Sequence, residues 1–155
     1  NFRQNVMDSH QIFFRMLNPL TRLVLKSPLH RLISSKILVL IFPGRVSGKI
    51  YSIPLSYLKS NDKELFCITD KEYMWWKNLK SCNSIQVLFE GKMHNANITV
   101  ESENINLIGD RLKAMCLHDK AHAYFAEVGF KDKMPIEEDI VASASRSVLL
   151  QLSIA

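Results

Sequence analysis

Cysteine is scarce in this sequence: Cys67, Cys82 and Cys116 are the three in 155 residues, and no two form a CxxC pair. That count excludes a disulfide framework and a cysteine-rich zinc site, and an odd number of thiols fits a reducing, cytoplasmic setting. Glycine and proline are also few, five of each, which excludes collagen-like and linker-like chains. No apolar run approaches the roughly 18 residues of a spanning helix. The longest, Ile37 to Phe42, has the length of a buried strand. No run of four Lys/Arg occurs, so nucleic acid is not an expected partner. The first residues lack the charged-then-apolar layout of a signal peptide.

What is present is an ordinary globular composition, 47% hydrophobic and 23% charged. The length fits one domain over 1–155, with 1–34 as a helical segment packed on it. Twenty basic against fifteen acidic residues leave a net charge of +5, which favours anionic partners such as phosphates or an acidic membrane surface.

Helical spacing over 9–17 and the cap-plus-proline pairs Asn18-Pro19 and Ser27-Pro28 predict three short helices, near 9–17, 19–26 and 28–34. Arg15, Arg22, Lys26 and Arg31 alternate there with large apolar residues. Such a segment either packs its apolar stripe on the domain or lies peripherally on a membrane.

From Lys36 onward strands dominate. Lys36–Phe42 reads as buried, and Lys49–Lys59 alternates Tyr51, Ile53, Leu55 and Tyr57 against Ser52, Pro54 and Ser56. Pro54 marks an edge or bulge. Further strands are expected over Lys63–Thr69, Ser84–Glu90, Met93–Glu101 and Arg146–Ile154, with helices at Tyr73–Lys80, Ile105–Cys116, His118–Val128 and Glu137–Ser143. Gly129 reads as the cap of the third of these helices. The expected fold is mainly β with flanking helices (α+β): a small antiparallel barrel, closed to avoid bare edges, with N-terminal helices and a C-terminal helical pair over its seam and ends.

Two segments carry chemistry. Gly44-Arg45-Val46-Ser47-Gly48-Lys49 joins two strands. Its glycines let backbone N–H groups approach an anion, Arg45 can grip phosphate with two bonds, Lys49 adds a charge and Ser47 a neutral donor. The plain alternative is a solvated hairpin turn. Trp75-Trp76-Lys77-Asn78 holds both tryptophans. One indole is expected in the core and the other on a groove, where it could stack on a flat heterocycle while Asn78 reads ring N–H or C=O groups. The alternative is a helix pinned by two large side chains. Together the segments describe a pocket for a phosphorylated planar ligand. His118 and His122 stand four apart, but without a HExxH glutamate or a third ligand no metal is expected.

These segments, read with Asn18-Pro19-Leu20, Ser27-Pro28-Leu29 and Tyr51-x-x-Pro54-Leu55-x-Tyr57, resemble the deazaflavin (F420)-dependent nitroreductase/quinone reductase family of the flavin-binding split β-barrel superfamily. The resemblance covers about Asn18 to Val100. It implies a split barrel, commonly a homodimer, that binds F420 or FMN, or in relatives haem. It places Gly44, Arg45, Ser47 and Gly48 at the phosphate end and Trp75 or Trp76 with Asn78 at the ring, with Lys49, Tyr51 and Pro54 alongside. Val46 and Tyr51 stand where the best-studied branch carries Lys and Arg, so F420 and FMN both stay open. The implied activity is hydride transfer from the reduced cofactor to a small hydrophobic acceptor: a quinone, nitroarene or conjugated alkene. A non-catalytic FMN- or haem-binding protein is the alternative. Tyr51, Tyr57, Tyr124 and His122 are candidate proton donors.

Overall fold

The computed structural model describes residues 36–155. The helices expected over 9–17, 19–26 and 28–34, and the basic amphipathic segment they would form, lie outside the described residues. The chain runs β1 (Ile37–Pro43), β2 (Ile50–Ser56), β3 (Leu58–Lys59), β4 (Glu64–Asp70), a 3-10 helix (Met74–Ser81), β5 (Ser84–Phe89) and β6 (Lys92–Glu101). It continues through α1 (Ile105–His118), α2 (Lys120–Phe125), β7 (Phe130–Lys131), β8 (Met134–Pro135), α3 (Glu137–Ser145) and β9 (Ser147–Ile154).

Seven strands form one antiparallel sheet in the order β2-β1-β5-β6-β9-β4-β3. Its two end strands are halves of a single stretch of chain, interrupted at Tyr57. The stretch pairs with β1 through its first half and with β4 through its second, so the sheet curls into a barrel. Closure is incomplete. Leu58 pairs with Phe66 and Lys59 with Leu65; the same register continued would set Ser56, Leu55 and Pro54 against Ile68, Thr69 and Asp70, but no ladder forms there. Pro54 has no N–H to give to such a ladder. The barrel is split at this seam.

The inward residues follow the period of two. Leu38, Leu40 and Phe42 of β1 meet Val87 of β5, Leu65 and Cys67 of β4, and Val148, Leu150 and Leu152 of β9, all buried. Burying each such aliphatic side chain contributes about 1.5–3 kcal/mol. Trp76 and Leu79 of the 3-10 helix join this core. The outer wall of β4 and β9 is apolar as well, and α1 and α3 cover it: Phe66 and Leu149 pack on Ile108, Met115 and Ala144. Asn104 caps α1 by accepting from Leu107 N–H, and Asp119 caps α2 by accepting from Ala121 N–H.

Three details depart from the sequence reading. The helix expected over His118–Val128 ends at Phe125; the left-handed residue behind it is Glu127 (φ 58°), not Gly129. Gly129 instead sits in a tight space, since a Cβ there would lie 3.0 Å from Ile136 Cδ1 and 3.1 Å from Asp139 Oδ2. The small β7–β8 hairpin, turning at Asp132-Lys133 with both φ positive, was not expected from the sequence. The segment at Met74–Ser81 is a 3-10 helix rather than an α-helix.

Candidate functional site

The turn between β1 and β2 is tied inward by its own backbone. Gly44 N–H donates to Lys49 O at 2.6 Å, Gly48 N–H to Gly44 O at 3.0 Å, and Lys49 N–H to Ser47 Oγ at 3.2 Å. Gly48 sits at φ +67°, where L side chains are rare. Gly44 is held by contact: a Cβ there would come within 2.8 Å of Tyr51 Cε2.

Arg45 N–H donates to Asn78 Oδ1 of the 3-10 helix at 3.0 Å, across 33 residues of sequence. Asn78 in turn donates through Nδ2 to Trp75 O at 2.9 Å. Both ends of this amide therefore make bonds inside the protein, and the side chain expected to read a ligand clamps the turn to the helix. Beside the clamp, Phe42 stacks on Tyr51 (centroids 5.7 Å apart) and on Trp75 (5.9 Å). The two segments singled out in the sequence are thus neighbours.

The two indoles part company. Trp76 is only 5% exposed; its Nε1 donates to Lys71 O at 3.1 Å, and the ammonium groups of Lys80 and Lys77 lie 5.0 and 5.8 Å from its ring centroid. It is the core indole, not a surface for stacking. Trp75 is half-buried, with its ring stacked on Phe42.

Four of the six N–H groups from Gly44 to Lys49 are bonded within the protein, which leaves those of Val46 and Ser47 among the described residues. The Ser47 hydroxyl accepts from Lys49 and keeps its own hydrogen to donate. Arg45 and Lys49 are exposed, with no carboxylate partner among the described residues. Two cations, two N–H groups and a hydroxyl on one turn make a donor set that fits a phosphate.

Pro54 is placed apart. It faces out from β2, opposite to Tyr51, and lines a cleft of about 390 Å³ at the seam. Tyr73, two residues before Trp75, lines the same cleft, so the cleft and the aromatic helix adjoin. Ile68, Leu112 and Met115 form apolar walls; His122, Phe125 and Arg146 close the side made by the C-terminal half. Apart from Pro54 and His122, these residues carried no local signal, because the cleft exists only once β2, β4 and three helices meet.

The candidate proton donors separate by environment. Tyr57 lies in the core, edge-on to Phe89, and burial, aided by Glu90 and Cys67, pushes its hydroxyl up to about 12. His122 is half-buried; desolvation holds its imidazole below the usual histidine range, with Asp119 opposing and His118 and Lys36 adding to the drop. Tyr124 is exposed and packs edge-on to Phe125. Tyr51 borders the turn. Among the described residues no group of His, Cys, Asp and Glu could hold a metal, and no helix is long and apolar enough to cross a membrane.

No protein-family model matches the chain, and no curated protein matches it in sequence. Solved structures do. A pyridoxamine 5'-phosphate oxidase-related, FMN-binding protein from Nostoc punctiforme is 17% identical, with a TM-score of 0.54 over 90% of this chain and 82% of that one. A protein related to general stress protein 26, of the pyridoxinephosphate oxidase family, from Clostridium acetobutylicum is 17% identical, with a TM-score of 0.51 over 84% and 83%. The haem storage protein HutZ from Vibrio cholerae is 12% identical, with a TM-score of 0.51 over 83% and 89%. The likeness is one of fold: an α+β split barrel of the pyridoxamine 5'-phosphate oxidase type.

Proposed function

We propose that the chain is a split-barrel reductase that holds a phosphorylated flavin-type cofactor, F420 or FMN, with its phosphate on the Gly44–Lys49 turn. The observation that carries this reading is the Arg45–Asn78 bond, which fastens a phosphate-fitting turn to an aromatic helix. Arg45 and Lys49 supply charge, Ser47 and two N–H groups supply directed donors, and Tyr51 and the half-buried Trp75 border the ring. From Lys49 to Pro54 is five residues of extended chain, about 17 Å, so an elongated cofactor along β2 runs from the turn toward the seam cleft. When bound and reduced, such a cofactor supplies a hydride to an electron-poor acceptor. The residues of the chain orient the ring and exclude water along the seam, where the cleft wall carries His122. The likeness to FMN-binding proteins of the same fold supports the cofactor class. A small hydrophobic acceptor and an assembly of two copies complete the reading.

A second reading, a non-catalytic haem- or FMN-binding protein, has the HutZ likeness in its favour. Titrations separate the two. FMN, F420 and haem are each added to the protein while tryptophan fluorescence and cofactor absorbance are followed. FMN or F420 is expected to bind, and Arg45→Ala to weaken it about tenfold or more, the worth of a charge-assisted contact. Riboflavin, which lacks the phosphate, should be unaffected by that substitution. Binding of haem alone, or equal loss for riboflavin and FMN, overturns the placement.

A further inference from the structure

We propose that the seam cleft is a binding site for a small aromatic carboxylate, with its ring on the apolar floor and its carboxylate at Arg146. The cleft adjoins the path proposed for the cofactor, but none of its lining residues belongs to the turn at Gly44, so ligand binding is tested here in the chain without cofactor.

The floor is made by Leu55, Ile68, Leu112 and Met115, drawn from β2, β4 and α1. It lies at the split, where Leu55 packs toward the barrel core and Ile68 packs against the helices. At about 390 Å³ the cleft lies within the range of small-molecule sites. Two of its lining aromatic residues, Tyr73 and Phe125, are 62% and 82% exposed and come from different elements. Aromatic side chains so exposed beside a cavity make good partners for a flat ligand.

Arg146 sets the charge of the ligand. Its Nη2 donates to Ala126 O at 2.7 Å and to Glu127 Oε2 at 3.2 Å, which uses both hydrogens of that nitrogen and fixes the guanidinium plane. Nε and Nη1 keep three donors with no partner among the described residues. The Glu127 side chain is mostly in solvent, so this ion pair is screened and weak. The other charged side chain lining the cleft, Asp70, turns Oδ1 to Glu72 N–H at 2.8 Å. A preset guanidinium beside an apolar, aromatic-rimmed floor matches a flat acid better than a neutral or cationic molecule of the same shape.

The test uses 2-naphthoate and its neutral counterpart 2-naphthalenemethanol, titrated into the full chain by calorimetry without added cofactor. The acid is expected to bind about tenfold or more tightly than the alcohol, the worth of a charge-assisted contact. Arg146→Gln should erase that preference by weakening the acid alone. Because Arg146 also holds Ala126, Phe125→Ala at an exposed position is measured in parallel and should weaken acid and alcohol alike. Equal affinity of the wild-type chain for both compounds overturns the proposal, as does loss of naphthoate binding in Arg45→Ala, which would put the ligand at the turn. The titrations with FMN and F420 are read separately, so failure of the cofactor reading leaves this result intact.

Discussion

Gly44 and Gly48 occupy one turn but are there for different physical reasons. Gly48 needs its positive φ and has open space around it; Gly44 needs room for the Tyr51 ring at 2.8 Å from its virtual Cβ. Gly44→Ala should therefore destabilise the protein by about 1–3 kcal/mol through overpacking, and Tyr51→Ser in the same chain should restore most of that loss. Gly48→Ala should cost about 1–2 kcal/mol and gain nothing from the Tyr51 change. Urea unfolding of the wild type, the three single variants (Tyr51→Ser included) and the two doubles measures both couplings, and equal behaviour of the two glycines would refute the distinction. The sequence marks both as turn glycines, but the reason for Gly44 lies seven residues away across the hairpin, where local pattern cannot reach.

Elements were more legible than their joints. The alternation from Tyr51 to Tyr57 reads straight through β2 and β3 as one strand; Ile53, Leu55 and Tyr57 turn to the core as that pattern implies, while Tyr51 stays exposed at the mouth. Its break at Tyr57, where the chain changes partner from β1 to β4, leaves no mark on the period of two. The stripe of α1 was likewise readable, but its closest neighbour was not. Gly109 faces α3, and a Cβ there would lie 3.4 Å from Ile140 Cγ2 and 3.9 Å from Ala144 Cβ, which is ordinary contact. A glycine inside a helix costs about 0.5–1 kcal/mol against alanine. Gly109→Ala should thus raise stability by about that amount, seen as a higher urea midpoint at unchanged slope. A loss instead would mean that α1 and α3 pack too closely for a methyl group.

At the scale of the molecule, the candidate site is a product of closure. The turn and the aromatic helix were each visible as sequence, but the bond that joins them spans 33 residues, and the cleft draws on residues from Pro54 to Ser147. The same closure buries two titratable groups inside the barrel. Cys67 is fully buried, and desolvation pushes its thiol far above its ordinary 9.0; the Tyr57 hydroxyl rises from 10.0 to about 12. In the unfolded chain both ionise near their ordinary values, so above pH 9 the unfolded state binds fewer protons than the folded one. Stability that is complete at neutral pH then falls as pH rises, by up to about 1.4 kcal/mol per pH unit for each group. The fall begins with Cys67 and steepens from pH 10 as Tyr57 joins, its share levelling off near 12. Cys67→Ala should be less stable than the wild type at pH 7, by about 1 kcal/mol for the lost buried atom. It should nevertheless lose less stability between pH 9 and 11, so that the two urea-midpoint profiles converge. Parallel profiles would show that the thiol ionises as freely in the folded barrel as outside it, which a residue sealed between β4 and the rest of the core cannot do.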